Sequence, residues 1–457
     1  MTHVDVLVLG SGQAGGPLSW RLARAGRSVV LVERAELGGT CVNEGCTPTK
    51  TFLASAHAAH AARHASLLGV DTGLVEVDMA RVVARKEAMV EEWRDGVARN
   101  VEKAGERLRL VRGHARFVGP RTVAAAGETI EAETVVVNVG ARARVPDIPG
   151  LDRVPFLNNR TVMELEELPD HLVVLGGGFV GCELGQAFHR FGAQVTLLQA
   201  GDQLLRGEDE EVAGALQEAL ESEGMDVRLG SRAVEVGPGG EGVVVVTEGG
   251  GPVTGSQLLV AVGRVPNTDE LGVEAAGIEL DEGGWIRVDE EYRTSADGVY
   301  AVGDCTGGPQ FTHASWDDHR ILFDLLTGGT ARRRDDRLVP FSTFTDPQVA
   351  RVGLTEREAR ERGVEVEVAT LDFGRIARAR ETGRARGLVK VLVDPDSERI
   401  LGAAVVGAEA AELVTVLQVL MEARAPASVL VQAQMIHPAF VEGLQSAVMT
   451  LDRYALS

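Results

Sequence analysis

Residues 4–15 read VDVLVLGSGQAG and residues 172–181 read LVVLGGGFVG. In each stretch an apolar run of buried-strand type ends in glycines at the same spacing, Gly10, Gly12, Gly15 and Gly176, Gly178, Gly181. The first continues into helical spacing at Leu18, Leu22 and Ala25, with Gly26 as C-cap, then into a second apolar run, 28–32, that ends at Glu33. The second runs through a helical pattern to 188–191 and Gly192, then a strand at 195–198 and Gln199. One constant offset of 166 residues relates the two, so the chain carries an internal duplication of a βαβ dinucleotide-binding unit. A lone glycine triplet of this kind is weak. Here each copy follows a strand, opens a helix and sits in a unit of about 30 residues, the context that the fingerprint requires. The first glycine allows the tight turn, the second lets backbone approach a pyrophosphate, and the third lets helix pack on strand. The pyrophosphate then faces a helix N-terminus.

The ribose ends of the two copies differ. Glu33 lies 23 residues after Gly10, where a carboxylate accepts hydrogen bonds from ribose hydroxyls. That suits an adenosine with a free 2′-OH, as in FAD or NAD. The matching position in the second copy is Gln199, followed by Ala200 and Gly201. Glutamine neither repels a 2′-phosphate nor pairs with it, so NAD and NADP both remain open. Arg206 is expected to be a solvated surface residue.

Composition narrows the field. A chain of 457 residues, at roughly 150 per domain, points to about three domains. With 46 Lys and Arg against 67 Asp and Glu, the net charge is −21, which disfavours nucleic acid and anionic membrane surfaces as partners. Hydrophobic content of 44% excludes wholesale disorder. The outlying count is glycine, 55 residues, without a Gly-X-Y period, so collagen is excluded and the glycines belong in turns and close backbone approaches. No secretory signal and no run of about 18 apolar residues is present, so the expectation is a reduced cytoplasmic protein.

Between and beyond the repeats, residues 50–105 read as two long helices with a break near 69–73. Residues 107–140 and 226–262 alternate in the strand manner, with turn signals at Gly119-Pro120 and in the glycine-rich stretch 237–251. Residues 285–302 are expected to hold two more short strands before Gly303-Asp304, and 332–337 an exposed arginine-rich connector. From 338 on, strands and helices alternate without a glycine fingerprint, which marks a third, different domain.

The four cysteines are Cys41, Cys46, Cys182 and Cys305. Cys182 and Cys305 have no partner nearby in sequence and read as buried packing residues. Cys41 and Cys46, in 38–50 (GGTCVNEGCTPTK), are the sharpest local signal. Four intervening residues suit a redox loop better than a zinc knuckle, whose pairs are closer and come in twos. Pro48 favours the first turn of a helix beginning near Cys46, and the helix dipole would stabilise a thiolate there. No metal site is expected.

GGTCVNEGCTPTK beside paired glycine fingerprints resembles the FAD-dependent pyridine nucleotide–disulfide oxidoreductases, which include dihydrolipoamide dehydrogenase, glutathione reductase and mercuric reductase. The resemblance covers essentially the whole chain. Residues 258–267 (LLVAVGRVPN) resemble the segment between NAD and FAD domains, and 294–304 (TSADGVYAVGD) the second FAD motif. Residues 344–356 (FTDPQVARVGLTE) resemble the start of the interface domain, and His437, Pro438 and Glu442 its C-terminal signature. The implied fold class is α/β, with two Rossmann-like dinucleotide-binding domains plus a C-terminal α+β dimerisation domain. The implied division is 1–150 with 271–337 for FAD, 151–270 for NAD(P), and 338–457 for the dimer interface.

The resemblance also implies roles. FAD falls to Gly10, Gly12, Gly15, Glu33, Arg34, Gly39, Thr40, Lys50, Ala115, Gly140, Gly263, Arg264, Gly303 and Asp304, and NADP or NAD to Gly176, Gly178, Gly181 and Gln199. Cys41 and Cys46 form the redox disulfide, with Cys46 the flavin-facing thiolate and Cys41 the interchange thiol. Lys50 and Glu183 are a lysine–carboxylate pair beside flavin and nicotinamide. His437, oriented by Glu442, is the acid–base group, supplied across a homodimer interface. The implied activity passes hydride from NAD(P)H through flavin to the disulfide and on to a small-molecule disulfide.

Two features depart from the family pattern. Glu44 stands in the redox loop where relatives carry an apolar residue, and is expected to raise neighbouring thiol pKa values or disfavour anionic substrates. The FVEGL tail (440–444) resembles mercuric reductases, whereas His437 resembles the disulfide reductases. The final stretch MTLDRYALS has no cysteine pair, and no metal-trapping domain precedes residue 1, so mercuric reductase activity is not the leading expectation. Reduction of Hg(II) or another soft metal ion is the alternative, and a non-catalytic flavoprotein subunit of a larger assembly is a further one.

Overall fold

The computed structural model describes residues 1–240, 242–329 and 332–455. By internal contacts the chain forms two compact units. One comprises Met1–Phe52, Ala80–Arg144 and Gly263–Arg337, the other Leu53–Met79, Val145–Val262 and Leu338–Ser457.

The first unit is organised by β1 (Thr2–Leu9), α1 (Gly15–Arg24) and β2 (Val29–Glu33). β1 pairs in parallel with β2 on one side and with Glu128–Val137 on the other, while Leu108–Arg112 extends the sheet beyond β2 and Val299–Ala301 joins at Glu128–Val137. An antiparallel pair, Arg116–Gly119 and Thr122–Ala125, completes the seven strands. The continuous apolar run of β1 follows from its central place. Leu7 and Leu9 enter one core cluster and Val6 and Val8 another, because successive side chains leave opposite faces. The same argument predicts that a parallel strand covered on both faces carries no polar alternation.

The second unit repeats the motif. His171–Leu175, the helix Phe179–Phe191 and Gln194–Leu198 form a parallel sheet with Asp226–Arg228 and Gln257–Val260. A three-stranded antiparallel sheet and a separate five-stranded antiparallel sheet, built within residues 341–407, belong to the same unit. The α/β class with two Rossmann-like units and a C-terminal α+β portion is thus present.

The break expected near 69–73 lies between α3 (Cys46–Arg63), reached through α2 (Gly39–Asn43), and the helix Met79–Lys103. Three expectations need correction. In 285–302 only Val299–Ala301 is a strand; Ile286 and Arg293 make single isolated bridges, to Leu280 and Tyr300. The segment 332–337 is not simply exposed, since Arg337 is buried against Asp318 at 2.6 Å. Within 237–251, Gly237, Gly239 and Gly242 lie in strands; a Cβ at Gly242 would meet the Gly255 carbonyl oxygen at 2.0 Å, so close strand packing rather than a turn requires it. Glu241 lies outside the described residues, as do Leu456 and Ser457 at the end of the expected interface domain. Among the described residues no helix is long and apolar enough to cross a membrane.

Both fingerprint helices are seated by backbone contact. A Cβ at Gly15 would sit 2.1 Å from the Gly10 carbonyl oxygen, and one at Gly181 1.9 Å from that of Gly176. Gly214, inside the helix Glu210–Glu223, has nothing within 4 Å of its Cβ direction. Gly181→Ala is expected to lower the urea unfolding midpoint, with an unfolding free energy smaller by about 1–3 kcal/mol. Gly214→Ala should be neutral or stabilising by about 0.5–1 kcal/mol. Equal midpoints for the two variants would refute the contact argument.

Candidate active site

The first glycine loop is tied down at both ends. Gly10 has φ +100°, and a Cβ there would lie 2.3 Å from the Asn138 carbonyl oxygen. The Gly15 amide donates to Asn138 Oδ1 at 2.8 Å, and Asn138 Nδ2 donates to the Val302 carbonyl at 3.0 Å. Glu33 is buried and accepts from the Ser11 amide at 2.8 Å, the Ser11 hydroxyl at 2.7 Å and the Ala35 amide at 2.9 Å. Gly39, at φ +62°, approaches Gly12 so closely that its Cβ would lie 2.7 Å from the Gly12 Cα. Glycines 10, 12, 15 and 39 therefore form one bare backbone surface beside the N-terminus of α1, with a carboxylate at the end of β2. Such a surface fits a dinucleotide pyrophosphate and ribose.

The second FAD-like motif reaches the same unit. Arg264 donates to Asp304 at 2.5 Å and to the Ala141 carbonyl at 2.8 Å. The Gly303 amide donates to Asp318 Oδ2 at 2.7 Å, and the buried Tyr292 hydroxyl to Asp318 Oδ1 at 2.7 Å. Arg337 supplies the countercharge, so the Gly303–Asp304 turn is held by a fully paired carboxylate. Gly140 and Gly263 have φ +67° and +113°. Ala115 packs at the edge of the core, whereas Arg34 and Thr40 are exposed.

The second loop copies the first with one change. Gln199 Oε1 accepts from the Gly177 amide at 2.9 Å, as Glu33 does from Ser11. Gly176 has φ +108° and its Cβ would meet the Ala261 carbonyl oxygen at 2.4 Å. A Cβ on Gly178, by contrast, would meet nothing within 4 Å. That glycine begins Phe179–Phe191 without a side-chain cap, leaving helix-end amides beside open space. Arg206 is exposed, as expected.

Cys41 lies on α2 and Cys46 opens the 18-residue α3, with Pro48 in its first turn. Both are thiols here, Cys41 half-buried and Cys46 exposed. The Cys41 pKa is raised, foremost by its hydrogen bond with Cys46 and then by burial. A pair of this kind holds one proton more firmly than two, with the helix N-terminus favouring negative charge at Cys46. Cys46 Sγ also lies 3.1 Å from the Thr312 hydroxyl. Glu44 closes α2 through its amide, bonded to the Thr40 carbonyl at 2.9 Å, and is not among the leading influences on Cys41. Cys182 and Cys305 are fully buried, and burial pushes each thiol up to about 12, as packing residues should be. Among the described residues no cluster of His, Cys, Asp and Glu could hold a metal ion.

In the second unit, Glu183 is buried on Phe179–Phe191 and accepts from the Phe344 amide at 2.7 Å. One helical face continues the clasp. Gln186 exchanges hydrogen bonds with the Asp346 backbone, both at 2.8 Å, and Arg190 pairs with Asp346 at 3.1 Å. His437 Nδ1 lies 2.9 Å from Glu442 Oε1, and the Ala439 amide holds Oε2 at 2.9 Å. That amide first, and His437 second, keep the Glu442 carboxyl below its usual range. The His437 side chain is 70% exposed, so its ring presents Nε2 outward from a fixed carboxylate. Lys50 is in the second turn of α3.

Asn138, Asp318, Thr312 and the Gln186–Arg190 clasp were not found from sequence. Asn138 left one trace, a polar residue ending the apolar run 135–137 just before Gly140. The others are assembled only by folding. Gly178→Ala should keep its unfolding midpoint and FAD content yet raise KM for NAD(P)H about tenfold, the equivalent of about 1.4 kcal/mol. An unchanged KM would contradict the assignment of that open space to nucleotide.

Residues 4–318 match the pyridine nucleotide-disulphide oxidoreductase family and residues 339–448 its dimerisation domain. The chain is 37% identical to a dihydrolipoyl dehydrogenase of Thermus scotoductus, covering 100% of this chain and 99% of that one. It is 34% identical to a mercuric reductase of Lysinibacillus sphaericus, covering 99% of this chain and 83% of the relative. Among solved structures, the Cu(II) complex of the HOCl-induced flavoprotein disulfide reductase RclA from Escherichia coli superposes with a TM-score of 0.91 at 34% identity, covering 99% of this chain and 100% of that one. With paired nucleotide loops, a two-cysteine helix start and these relatives, the chain belongs to the pyridine nucleotide-disulphide oxidoreductases and is an enzyme that uses FAD and NAD(P)H.

Proposed function

We propose that the protein is a homodimeric NAD(P)H-dependent reductase of a small-molecule disulfide, working through Cys41 and Cys46. The observation that carries this reading is the pair itself: Cys46 at the start of α3, and Cys41 with its proton held by Cys46 and by burial. We assign 1–150 with 271–337 to FAD, 151–270 to NAD(P) and 338–457 to the dimer. Bound FAD supplies two-electron transfer from NAD(P)H to the cysteine pair. Gly10, Gly12, Gly15, Glu33, Arg34, Gly39, Thr40, Lys50, Ala115, Gly140, Gly263, Arg264, Gly303 and Asp304 hold it, and Gly176, Gly178, Gly181 and Gln199 hold the nicotinamide nucleotide. We assign Lys50 and Glu183 to the hydride path. Neutral Gln199 is compatible with either nucleotide.

Two electrons and one proton convert the Cys41–Cys46 disulfide into a thiol at Cys41 and a thiolate at Cys46. Cys41, deprotonated by the imidazole of His437 of the second subunit, attacks one sulfur of the substrate. The departing thiolate takes that proton back, and Cys46 then attacks the Cys41 sulfur. With one further proton from solvent, the second substrate thiol leaves and the disulfide re-forms. Glu442 keeps the imidazole oriented and its charged form stabilised through each transfer.

A second reading, reduction of a soft metal ion at the two sulfurs, is favoured by relatives named mercuric reductase and by a relative solved with Cu(II). Steady-state NAD(P)H oxidation with disulfides and with Hg(II) or Cu(II) separates the two. In the disulfide reading, His437→Gln lowers kcat by about 10²–10⁴ while cysteine reduction by NAD(P)H persists. Equal kcat in wild type and variant would remove His437 from the mechanism, and turnover with metal ions alone would favour the second reading.

A further inference from the structure

We propose that Thr312 is a catalytic residue whose hydroxyl donates to the Cys46 sulfur and holds it as the thiolate of the reduced pair. This deepens the cysteine chemistry above and rests on it for its role in turnover. The Thr312 Oγ1 lies 3.1 Å from Cys46 Sγ, inside the reach of a sulfur hydrogen bond, and it is contributed from more than two hundred residues away in sequence. A neutral thiol could donate to that hydroxyl, but a thiolate can only accept, so loss of the proton turns the contact into a charge-assisted bond. The same hydroxyl opposes the effects that raise the Cys41 pKa.

Placement favours the anion further. Cys46 is the first residue of α3, and Thr312 is the first residue of the 16-residue helix Thr312–Thr327, which begins at Phe311 without a side-chain cap. Two helix N-termini therefore meet at one sulfur, and the dipoles of both favour negative charge. That second helix is fixed nearly two turns later, where Asp318 takes the Gly303 amide, the Tyr292 hydroxyl and Arg337. The hydroxyl is thus held in place by the same carboxylate that holds the Gly303–Asp304 turn. Cys41 on α2, Glu44 in the loop, Lys50 on α3 and His313 beside Thr312 are the titratable groups nearest in sequence to the two helix starts; farther along lie His57, His60 and Arg63 on α3 and Asp317, Asp318, His319, Arg320 and Asp324 on the second helix, where Arg337 pairs with Asp318. Thr312 adds a donor that does not itself titrate.

The test is the pH dependence of the long-wavelength thiolate-to-flavin charge-transfer band in the FAD-loaded enzyme, reduced with dithiothreitol so that the result does not depend on NAD(P)H turnover. Thr312→Val, which keeps the shape and removes the hydroxyl, should raise the thiolate midpoint by about one to two pH units. Thr312→Ser should restore it, with FAD content equal in all three proteins. Midpoints equal in wild type and Thr312→Val overturn the proposal, as does a raised midpoint that Thr312→Ser fails to restore. If NAD(P)H does not reduce the pair in wild type, the disulfide-reductase reading falls instead, and the charge-transfer midpoints of the dithiothreitol-reduced proteins still decide the hydrogen bond.

Discussion

At Gly15 and again at Gly181, a Cβ would fall about two ångströms from the carbonyl oxygen of the first glycine in the same loop, 2.1 and 1.9 Å. No side chain fits, and this one exclusion seats both fingerprint helices against their strands. The arrangement of both loops follows from it. With the helix drawn in, the N-terminal amides of each helix point across the loop and the strand-end residue folds back on the amide after the first glycine. Glu33 does so to Ser11 and Gln199 to Gly177. The two loops are one backbone solution with different charge at the strand end.

The redox centre relies on a related economy. Helix ends and the mutual influence of the two sulfurs favour a single negative charge on the cysteine pair. Cys46 begins α3, Thr312 begins the opposing helix, and Cys41 retains its proton because burial and Cys46 penalise the second ionisation. Cys182 and Cys305 mark the contrast. They are equally sulfur, yet complete burial raises both thiols and leaves them inert.

The duplication was legible because glycine, unlike most residues, is required by backbone geometry, so Gly10 and Gly176 announce themselves at a constant offset. The continuous apolar runs likewise reveal strands covered on both faces. Short, half-covered segments carry no such signal, which is why 285–302 reads as two strands and contains one. The polar scaffolding was illegible for another reason. Asp318 joins Tyr292, Gly303 and Arg337, and Gln186 and Arg190 clasp Asp346, through contacts 15 to 160 residues apart in sequence. Hydrogen bonds of that range leave no periodicity to read. His437 and Glu442 stood out only through the family pattern, and the structure supplies the amide of Ala439 as the reason their geometry is fixed.

The central claim is that the cysteine pair is an electron store separate from the flavin. Anaerobic reductive titration of the FAD-loaded enzyme, counting electrons per flavin, addresses it directly. With a separate store at the cysteines, wild type takes up twice as many electrons per flavin as Cys41→Ser before the flavin is fully bleached. Equal uptake by the two proteins would contradict it.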